Sequence, residues 1–268
     1  NNKNLVVGIE ICEDLWMPIP PSSWLTLSGA TIIANLSAST EQVGKADYRR
    51  QLVVQQSARA VCGYIYTSSG PRESTTDVVY GGHTIMAENG TLLAESTRFQ
   101  QTRTVTMTDF DLQHLACDRR RITGFGQMPA GCAFPVRRLV QSHIETRTAT
   151  RLQRRIEPWP FVPEHTGERD RRVEEIFLIQ ASGLAHRLEA SHLMHVVIGL
   201  SGGLDSTLAL LVAVRAMREL GLPLSHIHAY TLPGPGTSKR TRGNAHRLAA
   251  ALRVPLEEVN ISAGCQQV

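Results

Sequence analysis

Cysteine is scarce in this sequence, and no apolar run is long enough to cross a bilayer. The five cysteines are dispersed with no paired spacing, which argues against a disulfide framework or a zinc site. A membrane-spanning helix needs about 20 consecutive apolar residues, and no segment resembles a signal peptide. With 42% hydrophobic and 19% charged residues, the composition is that of an ordinary globular protein. We therefore expect a cytoplasmic chain with no membrane partner.

Acidic residues are sparse in one stretch of the chain. Residues 117–172 carry 12 arginines against 6 acidic residues, although the net charge of the whole chain is only +4. A basic segment of this kind can bind nucleic acid, but it more often forms a solvated linker or pairs with acidic neighbours. Because no nucleic-acid-binding motif accompanies the charge, we expect no nucleic-acid partner.

The first half of the sequence alternates between strand-like and helix-like segments. Three runs rich in β-branched residues predict strands, namely residues 5–11, 30–37 and 64–67. Residues 47–61 contain no glycine or proline and predict a helix. Asn89-Gly90 separates two apolar runs, which is a strong signal for a β-hairpin, and the alternation over residues 103–108 predicts a further strand. Together these segments predict a mixed α/β domain.

The pattern of predicted strands and helices changes at two places in the sequence. Residues 111–163 are interrupted by arginine pairs, glycines and prolines, and we interpret them as a connector. From residue 164 onwards, helices and strands alternate, which favours a parallel sheet. We therefore predict a first α/β domain over residues 1–110, the connector over residues 111–163, and a second α/β domain over residues 164–268.

A predicted strand over residues 195–200 leads into a segment with the composition of a phosphate-binding loop. Adjacent glycines let the backbone approach an anion, and the amides and dipole at the start of the next helix favour phosphate. Asp205 would repel a bare phosphate, so we expect it to act through Mg²⁺. The alternative is a plain strand-to-helix turn; the segment is neither a Walker A loop nor the dinucleotide fingerprint. The candidate ATP-binding residues are Gly199, Leu200, Ser201, Gly202, Gly203, Leu204, Asp205 and Ser206.

This segment resembles the PP-loop of the ATP pyrophosphatases, which split ATP between the α- and β-phosphates. The resemblance implies the first part of an adenine-nucleotide α-hydrolase-like parallel α/β domain. Further along, residues 231–241 resemble the loop of NAD synthetases that closes near the nucleotide, with Leu232 and Pro235 where that family usually has Met and an aromatic residue. The loop residues implied to lie near the nucleotide are Pro233, Gly236, Thr237 and Ser238.

Cys12 follows an apolar strand, where active-site residues of open α/β sheets commonly lie, although a lone cysteine is more often structural. Residues 8–16, Gly-Ile-Glu-Ile-Cys-Glu-Asp-Leu-Trp, resemble the nucleophile segment of nitrilase-superfamily glutaminases, above all those fused to NAD synthetase. The resemblance implies the C-terminal part of a nitrilase-like α/β sandwich, with Cys12 as nucleophile and Ser39 and Lys45 in contact with glutamine. The alternatives are a strand-end cap for Ser39 and a solvated loop residue for Lys45.

Taken together, the two motifs resemble the glutamine-dependent NAD synthetases. That resemblance implies amidation of deamido-NAD by ammonia from glutamine, with ATP and substrate-associated Mg²⁺, through an adenylated intermediate that yields AMP and pyrophosphate. It implies a homo-oligomer and no tightly bound cofactor. The Glu base and Lys of that family precede the nucleophile, and neither Glu10 nor Lys3 matches them, so we expect a chain cut at both ends and inactive alone. The alternatives are another PP-loop amidotransferase and a non-catalytic nucleotide-binding remnant.

Overall fold

The structure is a computed structural model of the chain. It describes residues 5–73, 77–125, 151–156, 158–159, 161–162 and 165–265. The chain divides into two compact units, residues 1–157 and residues 158–268. The domain boundaries inferred from the sequence stay predictions.

A five-stranded mixed sheet and two helices organise the first unit. These elements are β1 (Val7–Ile11), α1 (Pro21–Leu27), β2 (Ile32–Ser37), α2 (Lys45–Arg59), β3 (Gly63–Ser68), β4 (Thr84–Glu88) and β5 (Thr91–Glu95). The strands lie side by side in chain order. β1, β2 and β3 are parallel, whereas β4 and β5 are added antiparallel. Parallel neighbours need crossover connections, and these contain α1 and α2.

The core of the first unit lies between this sheet and its two helices. β1 alternates between a buried and an exposed face: Gly8 and Glu10 point inwards, whereas Ile9 and Ile11 are 62% and 63% exposed. A Cβ on Gly8 would lie 2.8 Å from the end of the Ile33 side chain and 3.1 and 3.2 Å from the Cβ atoms of Leu25 and Ala30, so glycine allows close packing here. The fully buried members of the core include Ile33, Val53, Tyr64, Tyr66 and Ile85.

The predicted hairpin is confirmed between β4 and β5. Asn89 and Gly90 connect the strands with φ angles of 45° and 84°. Both residues are therefore in the left-handed region that a tight two-residue hairpin turn requires, and Asn-Gly adopts it most readily.

The strand predicted over residues 103–108 is wrong. None of the strands in the described part of the chain pairs with these residues, and no strand forms. Val105 and Met107, which would have formed its apolar face, are 72% and 66% exposed. An alternating pattern produces a strand only where a neighbouring strand and a core are present to bury it.

The stretch predicted as a connector begins with a helix, α3 (Leu112–Arg121). The side chain of Asp111 caps its start, and Leu115 is fully buried. Arg119 is partly buried and donates hydrogen bonds of 2.7–3.2 Å to three main-chain carbonyl oxygens, those of Ala30, Ala60 and Val61. These contacts attach α3 to the first unit.

The second unit is a three-stranded parallel sheet with helices between its strands, as the sequence predicts. Its elements are α4 (Thr166–Ala190), β6 (Val196–Gly199), α5 (Leu204–Glu219), β7 (Ile227–Thr231), α6 (Lys239–Leu252), β8 (Leu256–Glu258) and α7 (Ser262–Cys265). The strand order is β6-β7-β8, with both pairs parallel. One core joins α4, α5 and α6 to the sheet through residues such as Leu188, Leu210, Met217, Ile227 and Ala245. Among the described helices, none is long and apolar enough to span a membrane.

Candidate functional site

Cys12 lies where β1 ends and a 3-10 turn over Cys12–Trp16 begins. Its φ angle is 50°, a left-handed conformation that costs a residue with a side chain about 1–3 kcal/mol. Such strain persists only where the surroundings maintain it. Asp14 contributes here, because its Oδ2 accepts the main-chain N–H of Ile11 at 2.7 Å. The half-buried Cys12 side chain is thereby held at the carboxyl end of β1.

Ser39 lies at the same edge of the sheet as Cys12. β1 and β2 are parallel neighbours, with Ile11 opposite Leu36, so their carboxyl ends meet at that edge. The main-chain N–H of Ser39 donates to Oγ of Ser68 at the end of β3, at 3.2 Å. Ser39 is buried, with 5% of its surface exposed, and its position is set by two adjoining strands.

Lys45 is the first residue of α2 and is only partly exposed. Its Nζ donates to the main-chain oxygen of Thr40 at 2.9 Å and lies 5.2 Å from the ring centroid of Trp16. Trp16 belongs to the same turn as Cys12, and its ring also contacts that of Tyr48 at 5.5 Å between centroids. The structure therefore brings the predicted glutamine-binding lysine to the turn that carries Cys12.

Arg49, on α2, contacts Ser39, although it is not among the site residues predicted from the sequence. It is fully buried. Its Nη2 donates to Oγ of Ser39 at 3.5 Å, and its Nη1 lies 2.9 Å from both Oε1 of Glu41 and Nδ1 of His83. The guanidinium also lies over the ring of Tyr66, 5.6 Å from its centroid. Its sequence signal is the pair of adjacent arginines, Arg49 and Arg50, near the start of the helix.

His83 connects Arg49 to a second ion pair. Its Nε2 lies 2.7 Å from Oε1 of Glu95, and Arg50 holds the same carboxylate through two hydrogen bonds of 2.7 and 2.8 Å. Arg49 can only donate, so Nδ1 of His83 must accept, and the neutral ring carries its proton on Nε2. Burial lowers the pKa of His83, and the Arg50 hydrogen bond lowers the pKa of Glu95.

Glu10 supports β1 two residues before Cys12. It is 2% exposed, and its carboxylate accepts the main-chain N–H of Ser22 at 2.7 Å together with the hydroxyl of Tyr64. Burial, reinforced by the Glu10 charge, raises the pKa of Tyr64, so the phenol remains a hydrogen-bond donor. Glu10 thus joins the end of β1 to α1 and β3 and plays a structural part.

The predicted phosphate loop lies between β6 and α5, at the carboxyl end of its strand. Gly202 has a φ angle of 80°, and a Cβ at this position would lie 2.0 Å from the carbonyl oxygen of Thr241. Asn244 Nδ2 donates to the carbonyl oxygen of Gly202 at 3.5 Å. The loop is therefore packed directly against the first turns of α6, and glycine is required for both its conformation and its contact.

Polar groups of the phosphate loop gather at the start of α5. The hydroxyls of Ser201 and Ser206 are 3.1 Å apart, and the main-chain N–H of Gly203 donates to the Ser201 hydroxyl at 3.3 Å. Asp205 is exposed in the first turn of the helix, whereas Leu200 is buried in the core. Hydroxyl groups and the main-chain amides at the start of a helix together form a suitable anion site.

The second loop predicted to lie near the nucleotide leads into α6. Ser238 caps this helix, because its Oγ accepts the main-chain N–H of Thr241 at 3.2 Å. Thr237 Oγ1 accepts a main-chain N–H from earlier in the same loop at 3.0 Å. Pro233 is buried and Gly236 is exposed. Since α6 also contacts the phosphate loop, the two predicted nucleotide segments meet at one helix.

Few side chains near the predicted phosphate loop could bind a metal cation. Within the described residues, no group of three or more His, Cys, Asp or Glu residues is placed to hold a metal ion. Asp205 supplies one exposed carboxylate beside the phosphate loop. A single carboxylate fits Mg²⁺, which commonly takes its remaining ligands from substrate phosphates and water.

Comparison with known proteins assigns both units to families. Residues 3–120 match the carbon-nitrogen hydrolase family, and residues 179–267 match the NAD synthase family. The glutamine-dependent NAD(+) synthetase of Mycobacterium leprae is 42% identical over 261 residues, covering 96% of this chain and 38% of that protein. The chain is a relative of the glutamine-dependent NAD(+) synthetases. The resemblance inferred from the two motifs is confirmed, and with it the fold class.

Other relatives carry the same description. The human glutamine-dependent NAD(+) synthetase is 30% identical over 204 residues, covering 75% of this chain and 27% of that protein. A solved glutamine-dependent NAD+ synthetase from Acinetobacter baumannii, in complex with ADP, is 19% identical and covers all of this chain and 41% of that chain, with a TM-score of 0.38. The chain thus spans well under half the length of the NAD(+) synthetases it matches.

Proposed function

We propose that the whole protein is a glutamine-dependent NAD synthetase that converts deamido-NAD to NAD, with ammonia taken from glutamine and energy taken from ATP. The observation that carries the proposal is the presence in one chain of a strained strand-end cysteine and a glycine-containing loop between a strand and a helix. The two features lie in segments related to carbon-nitrogen hydrolases and NAD synthases respectively. Each feature supplies one half-reaction.

In the first half-reaction, Sγ of Cys12 attacks the side-chain amide carbon of glutamine. The carbon–nitrogen bond breaks, ammonia leaves after taking up a proton, and a thioester remains. Water then cleaves the thioester, which yields glutamate and frees the thiol. We propose that Lys45 and Ser39 contact glutamine, since an ammonium group pairs with a carboxylate and a hydroxyl can hydrogen-bond either end of the substrate.

In the second half-reaction, the loop of residues 199–206 holds the phosphates of ATP. The nicotinate carboxylate attacks the α-phosphorus and pyrophosphate leaves, which gives an acyl adenylate. Ammonia then attacks the acyl carbon, and AMP leaves, because AMP is a far better leaving group than oxide. Asp205 would hold Mg²⁺, which when bound neutralises phosphate charge. Keeping ammonia away from water prevents its protonation before transfer.

The test is an assay of NAD formation from deamido-NAD and Mg-ATP by the longest reading frame that contains this chain. Glutamine and ammonium are compared as nitrogen donors in the wild type, in Cys12→Ala and in Cys117→Ala. Cys117 is an exposed cysteine on α3 and serves as the matched control. We expect Cys12→Ala to lose only the glutamine-driven reaction and Cys117→Ala to keep both.

Two outcomes would contradict the proposal. If the wild type forms NAD and AMP with neither donor, the substrate assignment is wrong. If Cys12→Ala still uses glutamine at the wild-type rate, Cys12 is not the nucleophile, whatever the fate of the ATP reaction.

A further inference from the structure

We infer that Arg49 is a positioning residue of the proposed glutaminase site. Its buried guanidinium holds Ser39, and the segment that follows Ser39, at the sheet edge where Cys12 lies. The inference rests on the proposed function, because it assigns Arg49 to the same site.

Arg49 joins three separate parts of the first unit. It reaches Ser39 and Glu41 in the segment after β2, His83 immediately before β4, and the ring of Tyr66 on β3. The planar guanidinium presents several donors in a fixed arrangement, so these contacts fix the relative positions of the segments. A shift of Arg49 would therefore be transmitted directly to Ser39.

Burying the Arg49 side chain removes its charge from water, and the hydrogen bonds that it gains do not satisfy all of its donors. The side chain is fully buried, yet its Nε has no hydrogen-bond partner among the residues that the structure describes. A buried cation with an unpaired donor lowers stability, and an apolar residue of similar volume often packs better at such a position. Packing alone does not account for an arginine here, whereas holding a hydroxyl at a reactive edge does.

The surrounding charges make His83 the sensitive member of the network. Arg49 and Arg98 pair with Glu41 at 2.9 and 3.0 Å, and Arg50 pairs with both Glu95 and Asp47 at 2.7 Å. Three guanidinium groups thus meet three carboxylates, and the group between them, His83, is neutral. A proton on Nδ1 would place an N–H against the Arg49 N–H and add a positive charge that no further carboxylate of this network balances. Protonation of His83 would therefore displace Arg49 and, through it, Ser39.

The first experiment uses the longest reading frame that contains this chain and compares Arg49→Lys with Arg59→Lys. Both residues are on α2, but Arg59 is exposed and far from the network. Lysine keeps the positive charge but lacks the planar guanidinium with its several N–H donors, so it cannot contact Ser39, Glu41 and His83 together. We expect Arg49→Lys to raise KM for glutamine by about tenfold, the value of one hydrogen bond to a charged group. Its ammonium-driven rate should stay within about twofold of the Arg59→Lys rate.

The second experiment measures kcat/KM for glutamine between about pH 5 and pH 8, in the wild type and in His83→Asn. The Oδ1 of Asn can accept from Arg49 as Nδ1 of His83 does, but it cannot take up a proton. We expect the wild type to lose activity more steeply than His83→Asn as the pH falls below the ordinary pKa range of histidine. The two profiles are compared only at pH values where unfolding measurements show both proteins to be fully folded, so that an effect of His83 on stability alone does not change their shape.

The outcomes separate this inference from the proposed function. If the wild type uses neither donor, the proposed function is wrong, and this inference is wrong with it. If the wild type uses glutamine and Arg49→Lys matches Arg59→Lys in KM, the positioning role alone is wrong. Equal losses with both donors in Arg49→Lys would mean that the residue only stabilises the fold. Identical pH profiles for wild type and His83→Asn would remove His83 from the mechanism.

Discussion

Gly202 and Thr241 are in backbone contact: a Cβ on Gly202 would lie only 2.0 Å from the carbonyl oxygen of Thr241. A side-chain rotation cannot relieve this clash, because the atom that the Cβ would meet belongs to the main chain of α6. The shape of the phosphate loop therefore depends on α6 as well as on β6 and α5.

We expect Gly202→Ala to abolish ATP binding and to lower the free energy of unfolding by at least about 2 kcal/mol, since it adds left-handed strain to a steric clash. The measurements are ATP titration by calorimetry and chemical denaturation. Gly183→Ala on α4 is the control, because among the described residues nothing beyond the backbone of α4 itself lies within 4 Å of the added Cβ. It should raise stability by up to about 1 kcal/mol. Unchanged ATP binding in Gly202→Ala would contradict the role assigned to this contact.

Arg119 provides a test of how α3 is attached to the first unit. Its guanidinium is partly buried and caps three carbonyl oxygens in two connecting segments. We expect Arg119→Ala to lower the free energy of unfolding by about 2–4 kcal/mol, because buried acceptors are left unpaired. Arg120→Ala is the control, since Arg120 is exposed and its hydrogen-bond partner in the described part of the chain is the exposed thiol of Cys117. Equal stability of the two variants in denaturant titrations would show that the Arg119 contacts are unimportant.

Much of the fold could be predicted from local sequence signals. The Asn89-Gly90 turn and the strand–loop–helix around residues 199–206 depend on neighbouring residues, and the structure has them where the sequence predicts them. The strand over residues 103–108 failed because its alternation had no partner strand. Local pattern specifies the preference of a segment, whereas pairing and burial decide whether the preference is realised.

The network around Arg49 could not be predicted in the same way. Arg49 and His83 are 34 residues apart in sequence and meet only because β3 and β4 place the segment before β4 beside α2. Neither residue type is unusual in its own segment. Cys12 and Ser39, in contrast, were found through motif resemblance, and the parallel order of β1 and β2 then explains why they share an edge.

The His83–Glu95 pair predicts acid sensitivity of the first unit. Burial lowers the pKa of His83 below its ordinary value of 6.5. As the pH falls below 6.5, the His83 side chain therefore takes up a proton in the unfolded state while it stays neutral in the folded state. This contribution to stability is complete above pH 6.5 and declines below it. The lowered pKa of Glu95 adds a further decline below 4.5, its ordinary value.

The measurement is denaturant unfolding at a series of pH values for the wild type and His83→Asn. We expect stability of the wild type to fall between about pH 6.5 and pH 5, and a shallower fall in the variant. Parallel curves for the two proteins would show that His83 does not take part in the acid transition.

Asp14 provides the sharpest test of the Cys12 turn. Its carboxylate accepts the Ile11 N–H immediately before the left-handed residue. Asp14→Ala removes this acceptor and lets the turn relax, and we expect kcat/KM for glutamine to fall by about 10- to 100-fold, as for a small misplacement of a reacting group. Asp14→Asn keeps an oxygen acceptor and should retain most of the activity, and Glu13→Ala, at the exposed neighbouring position, should behave as wild type.

The comparison of these variants separates geometry from charge. Asn and Ala both remove the negative charge near the thiol, so any effect of that charge on the thiolate is the same in the two Asp14 variants. A difference between them in kcat/KM therefore measures the hydrogen bond to Ile11. If Asp14→Asn falls as far as Asp14→Ala, the charge of Asp14 matters and the turn does not depend on this hydrogen bond. If both retain wild-type activity, the left-handed conformation of Cys12 is maintained by the packing of the turn alone.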